Sequence, residues 1–177
     1  MNISDRPVAI VTGGSRGVGA ATAKLLASEG WNVTVTCTSS IEDAELIVKE
    51  CEALNAEALA LSADVSDDEA CKNTAQQTLK KWGRIDALVN NAGTTKFVFN
   101  HGDLDGLDAE DFLHIYKVNV VGPFQMVRAC KESLLTSENP SVVNISSIAG
   151  IKGIGSCLLY TSPSPRDATL SRMPSSA

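Results

Sequence analysis

Val8-Ala9-Ile10-Val11-Thr12-Gly13-Gly14-Ser15-Arg16-Gly17-Val18-Gly19 is the stretch on which the fold turns. Its first four residues are a short, unbroken apolar run, as expected of a parallel strand buried on both faces. Glycines follow at 13, 17 and 19, in a G-x-x-x-G-x-G spacing. Val18, Ala21, Leu25 and Leu26 then recur at helical spacing until Gly30, which predicts a helix and its stop. A strand, a glycine turn and a helix in that order let the backbone approach a pyrophosphate and hold it at the positive end of the helix. Glycine spacing alone is a weak signal. Its place between strand and helix gives it weight.

Outward from this unit the pattern repeats. Val33 to Cys37 is β-rich and predicts a second strand, and Ile41, Ala44, Ile47, Val48 and Cys51 form the stripe of an amphipathic helix over 41–54. Ala58 to Ala63 predicts a third strand. A helix over 67–82 follows, with Asp67 a candidate cap. Ala87-Leu88-Val89 marks a fourth strand, and a long helix over 109–135 is expected to kink at Pro123. Ser141 to Ser146 holds a fifth strand. Alternation of strands and helices with short connections implies a parallel sheet with right-handed crossovers and helices on both faces.

The chain has 177 residues, 44% hydrophobic and 20% charged, which suits one globular domain with a sizeable core. A net charge of −6 argues against a nucleic-acid binder, since little basic surface is available to neutralise phosphates. Cys37, Cys51, Cys71, Cys130 and Cys157 are odd in number and never form a C-x-x-C pair. Free thiols in a reducing cytosol fit better than disulfides or zinc. No apolar run approaches the ~20 residues of a membrane span, and no signal peptide is visible. A cytoplasmic protein is expected. His101 and His114 each stand alone and receive no role, while Trp31 and Trp82 read as packing residues at element ends.

Two further motifs stand at strand ends. Asn90-Asn91-Ala92-Gly93 follows the fourth strand and Asn144-Ile145-Ser146-Ser147 closes the fifth. In open parallel sheets ligands bind outside the carboxyl ends of strands, so both would face the crevice of the glycine loop. Taken singly, each is readable as turn residues satisfying their own backbone. Their conjunction decides. With Asp64-Val65 after the third strand, Gly83-Arg84-Ile85-Asp86 and Asn119 in the fourth helix, they resemble the short-chain dehydrogenase/reductase family over residues 7–156.

The resemblance implies an α/β, Rossmann-like doubly wound parallel sheet, truncated after the fifth strand. Gly13, Gly17 and Gly19 would cradle the pyrophosphate, with Ser15 and Thr38 as further cofactor contacts. Asp64 would hydrogen-bond the adenine, with a backbone contact from Val65, and Asn90 and Gly93 would line the ribose side. Ser147 would polarise a substrate carbonyl, and Asn119 would help hold a proton-relay water. The activity implied is hydride transfer between an alcohol and a ketone, on a small-molecule substrate, by a homo-oligomer (tetramer or dimer). An acyl-thioester ketone and a sugar or steroid substrate are both open. So is a non-catalytic dinucleotide-binding or redox-sensing protein of the same fold, although such a binder needs neither Ser147 nor Asn119.

NADP is the expected cofactor, and NAD the less favoured one. NAD selection rests on an acid at the end of the second strand, hydrogen-bonded to the 2′-hydroxyl. Here that position is Cys37, followed by Thr38, Ser39 and Ser40. The guanidinium of Arg16 could pair with a 2′-phosphate instead.

The family pattern then fails. Tyr160 lies at the family's spacing after Ser147, but the lysine expected four residues on is Ser164, flanked by Pro163 and Pro165. Each proline within a helix costs ~3 kcal/mol or more, so the catalytic helix is not expected to form. Cys157-Leu158-Leu159-Tyr160-Thr161-Ser162 is the translation of TGT CTC TTA TAC ACA TCT, the mosaic end of transposase-based sequencing libraries. The expectation is an incomplete dinucleotide-binding domain over 1–156 and a non-native, disordered tail over 157–177, in which Tyr160 matches the register by accident. The chain should then be inactive, with an apolar, unpaired sheet edge. Resequencing the source DNA with different adapters should return Tyr at or near 160 and Lys four residues later. Recovery of the same Ser-Pro-Arg-Asp tail before a natural stop would refute an adapter origin.

Overall fold

Five parallel strands form one sheet in the order β3-β2-β1-β4-β5: β1 is Val8–Val11, β2 Asn32–Cys37, β3 Ala58–Ser62, β4 Ala87–Asn90 and β5 Ser141–Asn144. The computed structural model describes residues 6–98 and 103–147. The chain divides into two compact units, Met1–Thr94 with His114–Ile145, and Thr95–Leu113 with Ser146–Ala177. The sheet belongs to the first. In the second, Asp108 and Asp111 exchange hydrogen bonds across the start of a helix, and Lys96 pairs with Asp111 at 2.5 Å.

Side-chain alternation along the strands sends residues to opposite faces. On one face Val11, Val33, Val35 and Val89 pack with α1 (Gly17–Ser28) and α2 (Ile41–Ala53). On the other, Ile10 and Leu88 pack with α3 (Asp68–Trp82) and α5 (Gly122–Thr136) through Cys71, Ala75, Met126 and Cys130. Burial pushes the Cys71 and Cys130 thiols up to about 11 and about 12, so both stay protonated within the core. Asp67 caps α3 by accepting from the Glu69 N–H at 3.0 Å, as its position predicts.

Two expectations are corrected. The helix α1 forms, but Val18 and Leu25 are exposed and the buried face is Gly19, Ala20, Ala23 and Ala27. Small residues make up the fully buried face of α1, and the partly buried Leu26 packs beside them against the same core. The single kinked helix over 109–135 is instead α4 (Ala109–Tyr116), a π-helical turn (Lys117–Val121) and α5. Pro123 sits in the first turn of α5, where its missing N–H costs least.

The amino end of the sheet is tied by Asp86, which is 3% exposed. Its carboxylate accepts from Arg84 through Nε and Nη2, from the Ser137 hydroxyl and from the Val8 N–H, all at 2.7–2.8 Å. Trp82 donates to Glu57 at 2.7 Å, closing the end of α3 against the start of β3.

Candidate active site

Chain order and strand order part company between β1 and β4. The chain leaves β1 towards β2 on one side, and β4 packs on the other, so the loops after these two strands splay apart and open a crevice. A cavity of 380 Å³ occupies that place, walled by the loops at the carboxyl ends of β1 to β4.

The glycine loop and the Asn-Asn-Ala-Gly turn interlock across it. Thr12 Oγ1 accepts from the N–H groups of Asn91 and Ala92, both at 3.0 Å. The Asn91 side-chain amide returns two bonds, donating to the carbonyls of Thr12 and Gly13 at 2.9 Å. Gly13 has φ +60°, and a Cβ there would lie 2.9 Å from the Ala92 Cα, so backbone meets backbone at this crossing. Helix α1 begins with no side-chain cap and no acidic residue in its first turn, whereas α2 and α3 have both. Its free N–H groups and positive dipole end remain for an anion.

The sequence-predicted residues fall as follows. Gly13, Ser15, Arg16, Thr38, Asp64, Val65 and Gly93 line the cavity. Gly17 and Gly19 shape the turn behind the wall. Asp64 Oδ1 accepts from the Ser66 N–H at 2.8 Å, and the Val65 carbonyl takes the Gln125 amide at 2.8 Å and the Cys71 thiol at 3.4 Å. Asn90, expected on the ribose side, is buried within the sheet instead. Its Nδ2 donates to Asn144 Oδ1 at 2.9 Å, its Oδ1 has no partner among the described residues, and Asn91 faces the cavity. Asn119 lies in the π-turn and clamps one residue: its amide donates to the Thr94 carbonyl at 2.8 Å and accepts from the Thr94 N–H at 2.9 Å. Ser147 follows β5 by three residues and is exposed, in the second compact unit. Tyr160, Ser164 and the whole 157–177 tail lie outside the described residues.

Sequence reasoning missed four contributors. Asn91 and Gln125 act through the backbone they hold, and only the adjacency of motifs hinted at the first. His114, which the sequence left without a role, lines the cavity, as does Asp43 from the first turn of α2. Burial pushes the Cys37 thiol above its ordinary range, and the charges of Glu42 and Asp43 add to the rise.

The glycine cradle, the uncapped helix and the elongated wall from Arg16 to Thr94 fit a dinucleotide. The chain matches the short chain dehydrogenase family model over residues 7–163. It is similar to the granaticin polyketide synthase protein of Streptomyces violaceoruber that carries the name ketoacyl reductase 2, with 41% identity over 156 residues. That match covers 88% of this chain and 61% of the relative, so the chain spans less than two thirds of the relative's length. It is also similar to the crystal structure of a metagenomic short-chain oxidoreductase in complex with NADP (32% identity, TM-score 0.79, 90% of this chain and 71% of that one). A third likeness is to NAD+-bound xylitol dehydrogenase (30% identity, TM-score 0.78, 87% of this chain and 58% of that one). Among the described residues no helix is long and apolar enough to cross a membrane.

Proposed function

Since the chain belongs to the short-chain dehydrogenase family, whose members are oxidoreductases binding a nicotinamide dinucleotide, we propose that its parent protein is an NADP-preferring reductase interconverting a ketone and an alcohol. The observation that carries this reading is the interlocked cradle at the β1/β4 crevice, with Arg16 and the uncapped start of α1 on its wall. The cofactor, when bound, supplies or takes up a hydride. Gly13 and the N–H groups opening α1 hold the pyrophosphate, Arg16 and Thr38 meet a 2′-phosphate, and Asp64 with the Val65 backbone holds the adenine. The Ser147 hydroxyl donates to the substrate carbonyl and steadies the developing oxyanion. Asn119 fixes Thr94 at the cavity wall, and the proton that completes the alcohol would come in the parent protein from the family's tyrosine, whose pKa the neighbouring lysine lowers. A ketone on an acyl thioester is the favoured substrate class, because the Streptomyces relative is named a ketoacyl reductase.

The exposed apolar side chains Tyr116, Val120 and Phe124, at the end of α4, in the π-turn and at the start of α5, support a homo-oligomer. The four cysteines among the described residues, all buried and free, support a reducing, cytoplasmic setting. A second reading, dinucleotide binding without catalysis, is favoured for the 177-residue chain by Ser164 in place of the family's lysine.

Fluorescence titration of the chain with NADPH and NADH tests the cofactor assignment. NADPH should bind more tightly, and Arg16→Ala should weaken NADPH by about 10-fold or more while leaving NADH nearly unchanged, as expected for one charge-assisted phosphate contact. Equal affinities in the unsubstituted chain would refute the preference. The full-length parent should turn over ketoacyl thioesters, and the 177-residue chain should not.

A further inference from the structure

The end of β2 lacks an acid in sequence, yet an acid reaches the cavity from another element. Asp43, at the third position of α2, lines the same cavity as Arg16, Cys37, Thr38, Ser39 and Ser40. Its backbone is fixed there by the Ser40 cap, whose hydroxyl accepts the Asp43 N–H at 3.4 Å. An acid in a first helical turn ordinarily serves the helix dipole. Glu42 already does so next door, and that role gives no reason for a carboxylate on the cavity wall. The charges of Glu42 and Asp43 both reach Cys37, that of Glu42 the more strongly, but of the two only Asp43 lines the cavity beside the position where an NAD-selecting carboxylate would stand. The cavity therefore presents the 2′-position of an adenosine with one cation, Arg16, and one anion, Asp43. The remaining ionisable groups on the wall are the Cys37 thiol, which burial pushes above its ordinary range, Asp64, which follows β3, and His114 of α4.

We propose that Asp43 is a specificity-determining residue that opposes Arg16 and holds the preference for a 2′-phosphate below what Arg16 alone would give, so that NAD is also accepted. This rests on the dinucleotide reading of the cavity. A single carboxylate several ångströms from a phosphate in a wet cleft corresponds to roughly 3- to 20-fold in affinity.

Calorimetric titration of the full 177-residue chain with adenosine 2′,5′-bisphosphate and with 5′-AMP isolates the effect, because the two differ only in the 2′-phosphate and neither is redox-active. Asp43→Asn should tighten the bisphosphate by ~3- to 20-fold and leave 5′-AMP within about two-fold. Asp43→Glu, which keeps the charge, should restore the original ratio. The gain should shrink at 0.5 M salt, where the Debye length is a few ångströms; a purely structural role would show no such screening. A ratio unchanged by Asp43→Asn, or shifted equally by Asp43→Glu, overturns the inference and leaves the dinucleotide site standing. Failure of the unsubstituted chain to bind either nucleotide overturns the dinucleotide reading itself, and the role of Asp43 with it.

Discussion

A Gly19→Ala chain is expected to lose about 1–3 kcal/mol of stability, the range for overpacking a closed site, and with it most of its dinucleotide binding. The added Cβ would stand 2.4 Å from the Asn91 Nδ2, 2.5 Å from the Gly13 carbonyl oxygen and 2.9 Å from the Gly14 Cα. Two of these three atoms are backbone and cannot rotate away. The third is the amide that ties the two loops together through the Thr12 and Gly13 carbonyls. To make room, α1 must lift from the turn or Asn91 must release it, and either movement displaces the N–H groups that face the crevice. Urea unfolding should show a lower midpoint with an unchanged slope, and NADPH titration a large rise in Kd. Gly17→Ala is the control. It has φ +56° but no atom within 4 Å of an added Cβ, so it meets only the left-handed backbone penalty of about 1–2 kcal/mol. A Gly19→Ala chain with the parent's midpoint and affinity would show that the interlock does not hold the site.

That clash also shows which parts of the molecule were legible in the sequence. Strands and helices announce themselves by local periodicity and capping. Hence β1 to β5, the Asp67 cap and the stop at Gly30, which takes φ +85°, stand where patterning places them. The buried face of α1 does not announce itself. Hydrophobicity favours Val18 and Leu25, but close approach to the sheet selects the small Ala20, Ala23 and Ala27. The glycine motif contained that information, since closely packed elements need small residues on both sides. Within Asn90-Asn91 the sequence offers two equal amides, and only the pairing of β4 with β5 sends Asn90 to Asn144 and leaves Asn91 to the loops. Asp43 and His114 reach the cavity from helices, through tertiary packing that no local pattern records. Gly83-Arg84-Ile85-Asp86 is the reverse case. It reads in the sequence as a family-like motif, but its physical purpose lies in the four donors that Asp86 gathers from residues both near and distant in the chain.

Those four donors all converge on one carboxylate that is 3% exposed. Asp86→Ala is expected to cost about 2–4 kcal/mol, because the Val8 N–H and the Ser137 hydroxyl both lose their acceptor, at about 1–2 kcal/mol each. Asp86→Asn keeps the volume and is expected to cost about 1.5–3 kcal/mol, the range of hydrogen bonds to a charged group. Burial alone would raise the carboxyl pKa, but Arg84, Ser137 and the Val8 N–H outweigh it and hold the group below its ordinary value. A carboxyl depressed in the folded state stabilises the fold at pH values above its unfolded pKa of about 3.9. That contribution disappears as pH falls through the lower folded value. The gap in urea midpoint between the parent chain and Asp86→Asn should therefore be constant from pH 7 to about 5 and narrow below about 4, as the parent's carboxyl becomes neutral. Asp86 lies at the amino end of the strands and the cavity at their carboxyl ends. Nucleotide Kd measured at neutral pH, where Asp86→Asn remains folded, should thus match the parent's. A midpoint gap that persists unchanged below pH 3 would mean that shape rather than charge makes Asp86 valuable. A loss of nucleotide affinity at neutral pH would mean that the two ends of the sheet are coupled.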